Sequence, residues 1–153
     1  MHVRRATRAD LDHLLEFTIR QLQEGEGAIK GREVVRRGIE QALEDESLTL
    51  YWVLVEDGED EPAGCAAAVK QWSDWNAGFY WWLQSMFIAP AHRGKGGMKV
   101  LVDEVREEMH RQDGIQLRLY VNKDNKQAKS AYERCNFSRS VYEIMMLIED
   151  DER

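Results

Sequence analysis

Proline is scarce in this 153-residue chain, with only Pro62 and Pro90, and no Pro/Ser-rich stretch, repeat or low-complexity tract divides it. At this length a single domain over residues 1–153 is the expectation, able to bury a core without metals or disulfides. Cysteine is equally sparse. Cys65 and Cys135 form no CxxC and no Cys/His cluster with zinc spacing, so two reduced, partly buried thiols are expected and no metal. No apolar run approaches the roughly 20 residues that cross a bilayer, which argues against a membrane partner. The opening MHVRRATRAD carries no apolar signal region, making a cytoplasmic protein the default. A basic excess is missing too: 21 Lys+Arg against 28 Asp+Glu give a net charge of −7. That balance argues against nucleic acid and favours cationic partners.

What is present reads as an alternation of elements. Val3–Ala6 makes a short strand, and Thr7 with Asp10 sits in capping-box spacing before a helix from Leu11 to about Gln23. Glu24-Gly25-Glu26-Gly27 interrupts it, and a second helix covers Arg32–Glu44. Strands follow at Thr49–Glu56, Ala63–Trp72 and Phe79–Ile88, the last apolar on both faces and therefore central. A helix from Gly94 to Arg111, a strand at Ile115–Val121, a helix at Asn125–Arg134 and a final strand or bent hairpin at Ser138–Ile148 complete the chain. The order βααβββαβαβ predicts an α/β sheet with helices on both faces.

Two motifs carry chemistry. After the central strand, Pro90 stops the ladder and Arg93-Gly94-Lys95-Gly96-Gly97-Met98 opens a long helix. Unpartnered N–H groups and the dipole at such a helix start attract anions, and glycines let the backbone approach closely. The GxxxxGK[ST] and GxGxxG patterns are both absent, which excludes a P-loop and a dinucleotide fingerprint. The plain alternative is a basic loop that only turns the chain. Downstream, Asn125, Ala128 and Tyr132 fall at i, i+3 and i+7 on one helix face. The plain alternative there is a capping Asn and a core Tyr. Neither a Ser-His-Asp set nor a Cys/His nucleophile pair is visible.

In this order, with a strand between them, the two motifs resemble the GNAT (Gcn5-related N-acetyltransferase) superfamily over nearly the whole chain. The resemblance implies a single-domain GNAT-like fold. Its mixed central sheet has six to seven strands, helices on both faces and two splayed central parallel strands. It implies acetyl-CoA as co-substrate, with its pantetheine arm against Met86, Phe87 and Ile88. Its diphosphate would lie on amides of Arg93, Gly94, Lys95, Gly96, Gly97 and Met98, and Asn125 and Ala128 would line the cofactor cleft. A backbone N–H near Phe87 or Ile88 would meet the oxyanion, and Tyr132 would be the general acid. Met98 stands where the family usually has Gly or Ala, so its side chain must turn away from the phosphates or CoA must sit slightly displaced. Gln84 stands where many members place a Glu base, leaving another group (Glu24, Glu26, Asp74 or His92), a water relay, or bulk solvent with a low-pKa amine for that role.

The implied activity is acetyl transfer to a primary amine by direct attack. Glu24, Glu26, Asp74 and Gln84, near Trp72, Trp75, Trp81 and Trp82, suggest a small cationic amine as substrate. Trp81 and Trp82 straddle the sheet, so at least one should fill core. A homodimer is also implied. Two rival classes remain: an acyl-CoA-binding sensor or scaffold of the same fold, and an interaction protein using its tryptophan-rich surface without affinity for CoA.

Overall fold

A computed structural model describes residues 1–26 and 31–149, with the side chain of Glu26 outside that description. β1 (His2–Arg5) leads through a short 3₁₀ turn (Arg8–Asp10) into α1 (Leu11–Gln21), which widens into a π-helical turn (Leu22–Glu26). The Thr7 N–H donates to Asp10 Oδ2 at 2.8 Å, as the capping spacing predicts. α2 (Arg32–Glu44) precedes β2 (Leu50–Val55), β3 (Pro62–Ser73) and β4 (Gly78–Ile88). Then come a 3₁₀ turn (Pro90–His92), α3 (Gly97–Arg111), β5 (Gln116–Leu119) and α4 (Lys126–Arg134).

The strands form one mixed sheet in the order β1-β2-β3-β4-β5, antiparallel except for the parallel β4–β5 pair. Its two faces hold separate cores. On one face, Trp52, Leu54, Ala66, Ala68, Trp81 and Leu83 meet Leu101, Val102, Val105 and Met109 of α3, with Tyr132, Cys135 and Phe137 packed at the margin. On the other, Val53, Cys65 and Phe87 meet Leu14, Leu15 and Phe17 of α1 and Ile39 of α2. The alanine run of β3 lets both helix layers approach the sheet closely. Trp81 is wholly buried while Trp82 faces the other side half-exposed, the straddle expected of that pair.

The sheet has five strands among the described residues, against the six to seven expected. The missing member is the predicted strand Ser138–Ile148. A strand exists by pairing, and among the described residues no backbone hydrogen bond joins 138–148 to another element. The segment leaves α4 as an extended arm. Asn136, at φ 70°, supplies the left-handed residue that ends that helix.

Two features of β4 open a gap in the sheet. Its register against β3 slips at Gln84, where Ala67 pairs with Ser85 but Ala68 with Leu83, so Gln84 is the extra residue of a bulge. Its parallel pairing with β5 stops at Leu83↔Leu119, while β4 runs on to Ile88. Five residues, Gln84 to Ile88, therefore have no strand beside them on that edge.

Candidate active site

The parting of β4 from β5 begins at the bulge and opens toward the glycine loop. Gly94 and Gly96 hold φ values of 80° and 82°, a region that costs an L side chain about 1–2 kcal/mol. Gly97 serves a different purpose. A Cβ there would stand 2.7 Å from Leu54 Cδ2, so glycine lets the first turn of α3 press against the sheet. The Arg93 N–H is bonded to Pro90 O, and Val100 N–H to Gly96 O. Between them, the N–H groups of residues 94–99 find no acceptor among the described residues. Six consecutive unbonded amides at the positive end of a 15-residue helix form a cradle for an oxyanion cluster.

The basic side chains of this loop are paired within the protein. The Arg93 guanidinium lies over the Phe87 ring, donates to Ile88 O at 2.8 Å and pairs with Glu24 Oε2 at 2.9 Å. Lys95 Nζ bonds Glu56 Oε1 at 3.1 Å, and His92 Nδ1 lies 2.8 Å from the same oxygen. Both cations are thus already answered by carboxylates, and the anion-attracting element is the row of amides. Glu56, at the end of β2, ties the loop to the sheet. His92 then holds its carboxyl below the usual range, followed by Lys95. Nothing in the sequence pattern marks this residue. Met98 packs against the α3-side core, turned away from the cradle as its size requires.

Met86 and Phe87 bury their side chains on opposite faces and offer the cleft only backbone. Asn125 caps α4, its Oδ1 accepting from the Ala128 N–H at 3.1 Å. The same residue borders a cavity of about 390 Å³, with Glu24, Gly25, Asn122, Asp124 and Lys126 around it. The turn after α1 faces the start of α4 here, since a Cβ on Gly25 would lie 3.7 Å from Asn125 Nδ2.

Tyr132, half-buried, sits edge-on to Phe137 with ring centroids 5.7 Å apart. Burial, and next the nearby Cys135, pushes its phenol up to about 12. Its hydroxyl has no hydrogen-bond partner among the described residues, and its proton stays in place throughout the physiological range. Cys65 is not a nucleophile: burial pushes its thiol up to about 12 as well.

Asp74 lies apart from the cleft. It is exposed at the β3–β4 hairpin tip, and the eleven-residue β4 places that tip about 30 Å along the strand from Ile88. His92, bound to Glu56, is likewise engaged elsewhere. Gln84 is exposed at the bulge, where the strands divide. An aromatic surface that joins Trp82 to Tyr120, with Arg118 and Tyr80 beside it, lies just below the division. Trp82 stacks on Tyr120 at 4.4 Å and donates from Nε1 to Gln71 Oε1, while the Arg118 guanidinium lies 3.5 Å from the centroid of Tyr80. The cation on these rings is the protein's own. Only the parallel register of β5 assembles this surface, and spacing within one strand cannot show it.

Comparison with known proteins agrees with this geometry. Residues 13–137 match the profile of the acetyltransferase (GNAT) family. The chain belongs to that family. Among solved structures, a possible acetyltransferase from Clostridium difficile 630 shares 28% identity over 97% of each chain, with a TM-score of 0.89. An aminoglycoside 6'-N-acetyltransferase from Acinetobacter haemolyticus superposes at TM-score 0.80 with 15% identity, covering 99% of this chain and 100% of its own. A further aminoglycoside N-acetyltransferase, in complex with CoA, gives 0.79 at 13% identity over 97% and 93% of the two chains. A comparison with curated proteins finds no match in sequence.

Proposed function

We propose that residues 1–153 form one N-acetyltransferase domain that moves an acetyl group from acetyl-CoA to a primary amine. The observation that carries this reading is a juxtaposition: six unbonded amides at the head of α3 beside a strand edge vacated by β5. The amides of residues 94–99 suit a diphosphate. The unpaired backbone of Gln84 to Ile88 suits a ligand that itself carries amide groups, as the pantetheine arm of CoA does. When bound, acetyl-CoA supplies the thioester as acyl donor, and no metal is called for.

The residues divide the work. β4 backbone orients the donor, and an N–H near Phe87 or Ile88 meets the charge that develops on the carbonyl. Tyr132 gives its phenolic proton to the departing thiolate. The amine must arrive neutral, and Gln84 accepts no proton at useful pH, so a water relay takes the ammonium proton. We assign a small cationic amine as acceptor because Glu24 and Asp124 border the cavity beside Asn125. A cytoplasmic homodimer completes the reading.

The test is thiol release from acetyl-CoA with a panel of amines, alongside calorimetry of CoA binding. Saturable release with at least one amine is expected. Binding without release from any amine would leave the sensor reading in its place. No binding at all would favour the aromatic interaction surface. Gly96→Glu is expected to abolish CoA binding with the fold retained, since it adds both a strained φ and a negative charge to the cradle. Normal binding by that variant would remove the loop from the site.

A further inference from the structure

The parallel register of β4 and β5 sets a row of side chains on the sheet face away from α3. Leu117 and Leu119 pack toward the α3 core, so Gln116, Arg118 and Tyr120 lie on the opposite face, beside Tyr80 and Trp82. Tyr80, Trp82 and Tyr120 belong to neither core. Their rings are nonetheless fixed. Asn76 Nδ2 donates to the Tyr80 hydroxyl at 2.8 Å, Trp82 Nε1 is held by Gln71, and Tyr120 stacks on Trp82 with 17° between the planes. Arg118 then changes what such a surface recognises. Open aromatic faces attract a ligand's cation, but the half-buried Arg118 guanidinium already lies over Tyr80 and 5.7 Å from the Trp82 centroid. Its Nε donates to Gln116 Oε1 at 2.7 Å. Its two terminal nitrogens have neither an acceptor nor a carboxylate partner among the described residues. A stacked, preorganised guanidinium with an open fork matches a carboxylate, which it can grip by two parallel hydrogen bonds.

We propose that Arg118 on this aromatic platform binds a carboxylate borne by the acceptor amine, so that the substrate is cationic at its reacting end and anionic at the other. The inference rests on the acetyltransferase reading and narrows its acceptor. Position agrees. Arg118 stands level with Trp82 in the ladder, and pairing ends one step further on, at Leu83↔Leu119. Trp82 therefore lies two residues, about 7 Å along the strand, below Gln84, where the gap that suits the donor opens. An acceptor whose amine and carboxylate are about that far apart reaches from the gap to Arg118. Its methylene chain would cross the stacked rings of Trp82 and Tyr120, which offer an apolar wall already held in place. The tryptophan of this face thus serves the body of the substrate, and the cation on the rings serves its far end.

δ-Aminovalerate and δ-aminovaleramide differ only at that carboxylate, and their kcat/KM values with acetyl-CoA test the assignment. The acid should lead by about tenfold or more, the scale of one charge-assisted hydrogen-bonded pair. Arg118→Gln should bring the ratio near one by raising the acid's KM, and Arg118→Lys should restore part of it. Equal values for acid and amide in the native chain, or an equal loss of both in Arg118→Gln, would overturn the proposal. Calorimetry with the two N-acetylated products needs no turnover. The acid product should bind the native chain at least about tenfold tighter than the amide product, and Arg118→Gln should erase the difference. Acid-selective binding without thiol release from any amine would sink the transferase reading and keep the subsite. Release from plain amines with no preference for the acid would do the reverse. Binding of neither product, with no acid preference in rate, sinks the subsite as well.

Discussion

Tyr132 has a free hydroxyl and a phenol held up to about 12 by burial, so it is a proton donor that does not lose its proton in ordinary buffers. Tyr132→Phe should lower turnover by roughly 10²–10⁴-fold, the usual contribution of a positioned acid, with CoA affinity nearly unchanged. Because an acid acts only while protonated, the wild-type rate should show no alkaline fall attributable to this group through pH 10. A limb with an apparent pKa near 9 that disappears in Tyr132→Phe would contradict the assignment. At this scale the sequence was informative about backbone and less so about side chains. Gly94, Gly96 and Asn125 could be placed because φ and capping needs follow from local chemistry. Arg93 and Lys95 could not, since their partners Glu24 and Glu56 lie 69 and 39 residues away. A cation beside a phosphate-sized loop says nothing about a distant carboxylate that reaches it first.

Among the elements, β1 and the entry to α1 are joined by one buried carboxylate. Asp10 is 4% exposed, and Arg4 grips both its oxygens at 2.9 Å. Burial pushes the Asp10 carboxyl up, but the Arg4 fork and the Thr7 amide outweigh it and hold it below its usual range. Its contribution is therefore complete above the ordinary carboxylate pKa of about 4 and is lost as pH falls through the lowered value. Asp10→Asn should cost about 1–3 kcal/mol at pH 7 in urea unfolding, and that deficit should shrink below about pH 4. At the other end of the sheet, the α3–β5 turn presses Gly114 onto Trp81 and Met109. An added Cβ would stand 2.4 Å from Met109 Cγ and 2.8 Å from the indole nitrogen. Gly114→Ala should destabilise by about 1–3 kcal/mol in the same assay, because neither neighbour can yield without opening the core.

Element order and type were legible almost throughout, since apolar periodicity marks helices and strands without reference to neighbours. The boundary errors have local causes. α3 begins at Gly97 rather than Gly94 because the two left-handed glycines delay the helix. The exception is the C-terminal strand. The apolar run at Ser138–Ile148 predicts a strand, but apolar content alone does not supply a pairing partner, and the large apolar side chains from Val141 to Ile148 stand 61–94% exposed. The opening between β4 and β5 was legible only through the family resemblance, because it depends on where two distant strands cease to pair.

For the whole molecule, the proposed homodimer would make stability a function of concentration. Its melting temperature should rise with protein concentration over the micromolar range, as mass action requires. Each copy carries −7 charges, so added salt should screen the repulsion and tighten the pair. A melting temperature independent of concentration over that range would point to a monomer.

The single surplus residue in β4 divides that strand into two parts with opposite phase. Trp81 and Leu83 before Gln84, and Met86 after it, all enter the same core, although one numbering parity would normally place them on opposite sides. The first part is committed to holding five strands together. The second keeps its pairing with β3 through Ser85↔Ala67 and Ile88↔Gly64 while its other edge has no strand beside it. One polypeptide segment thus contains a half paired on both edges and a half paired on one, divided at Gln84.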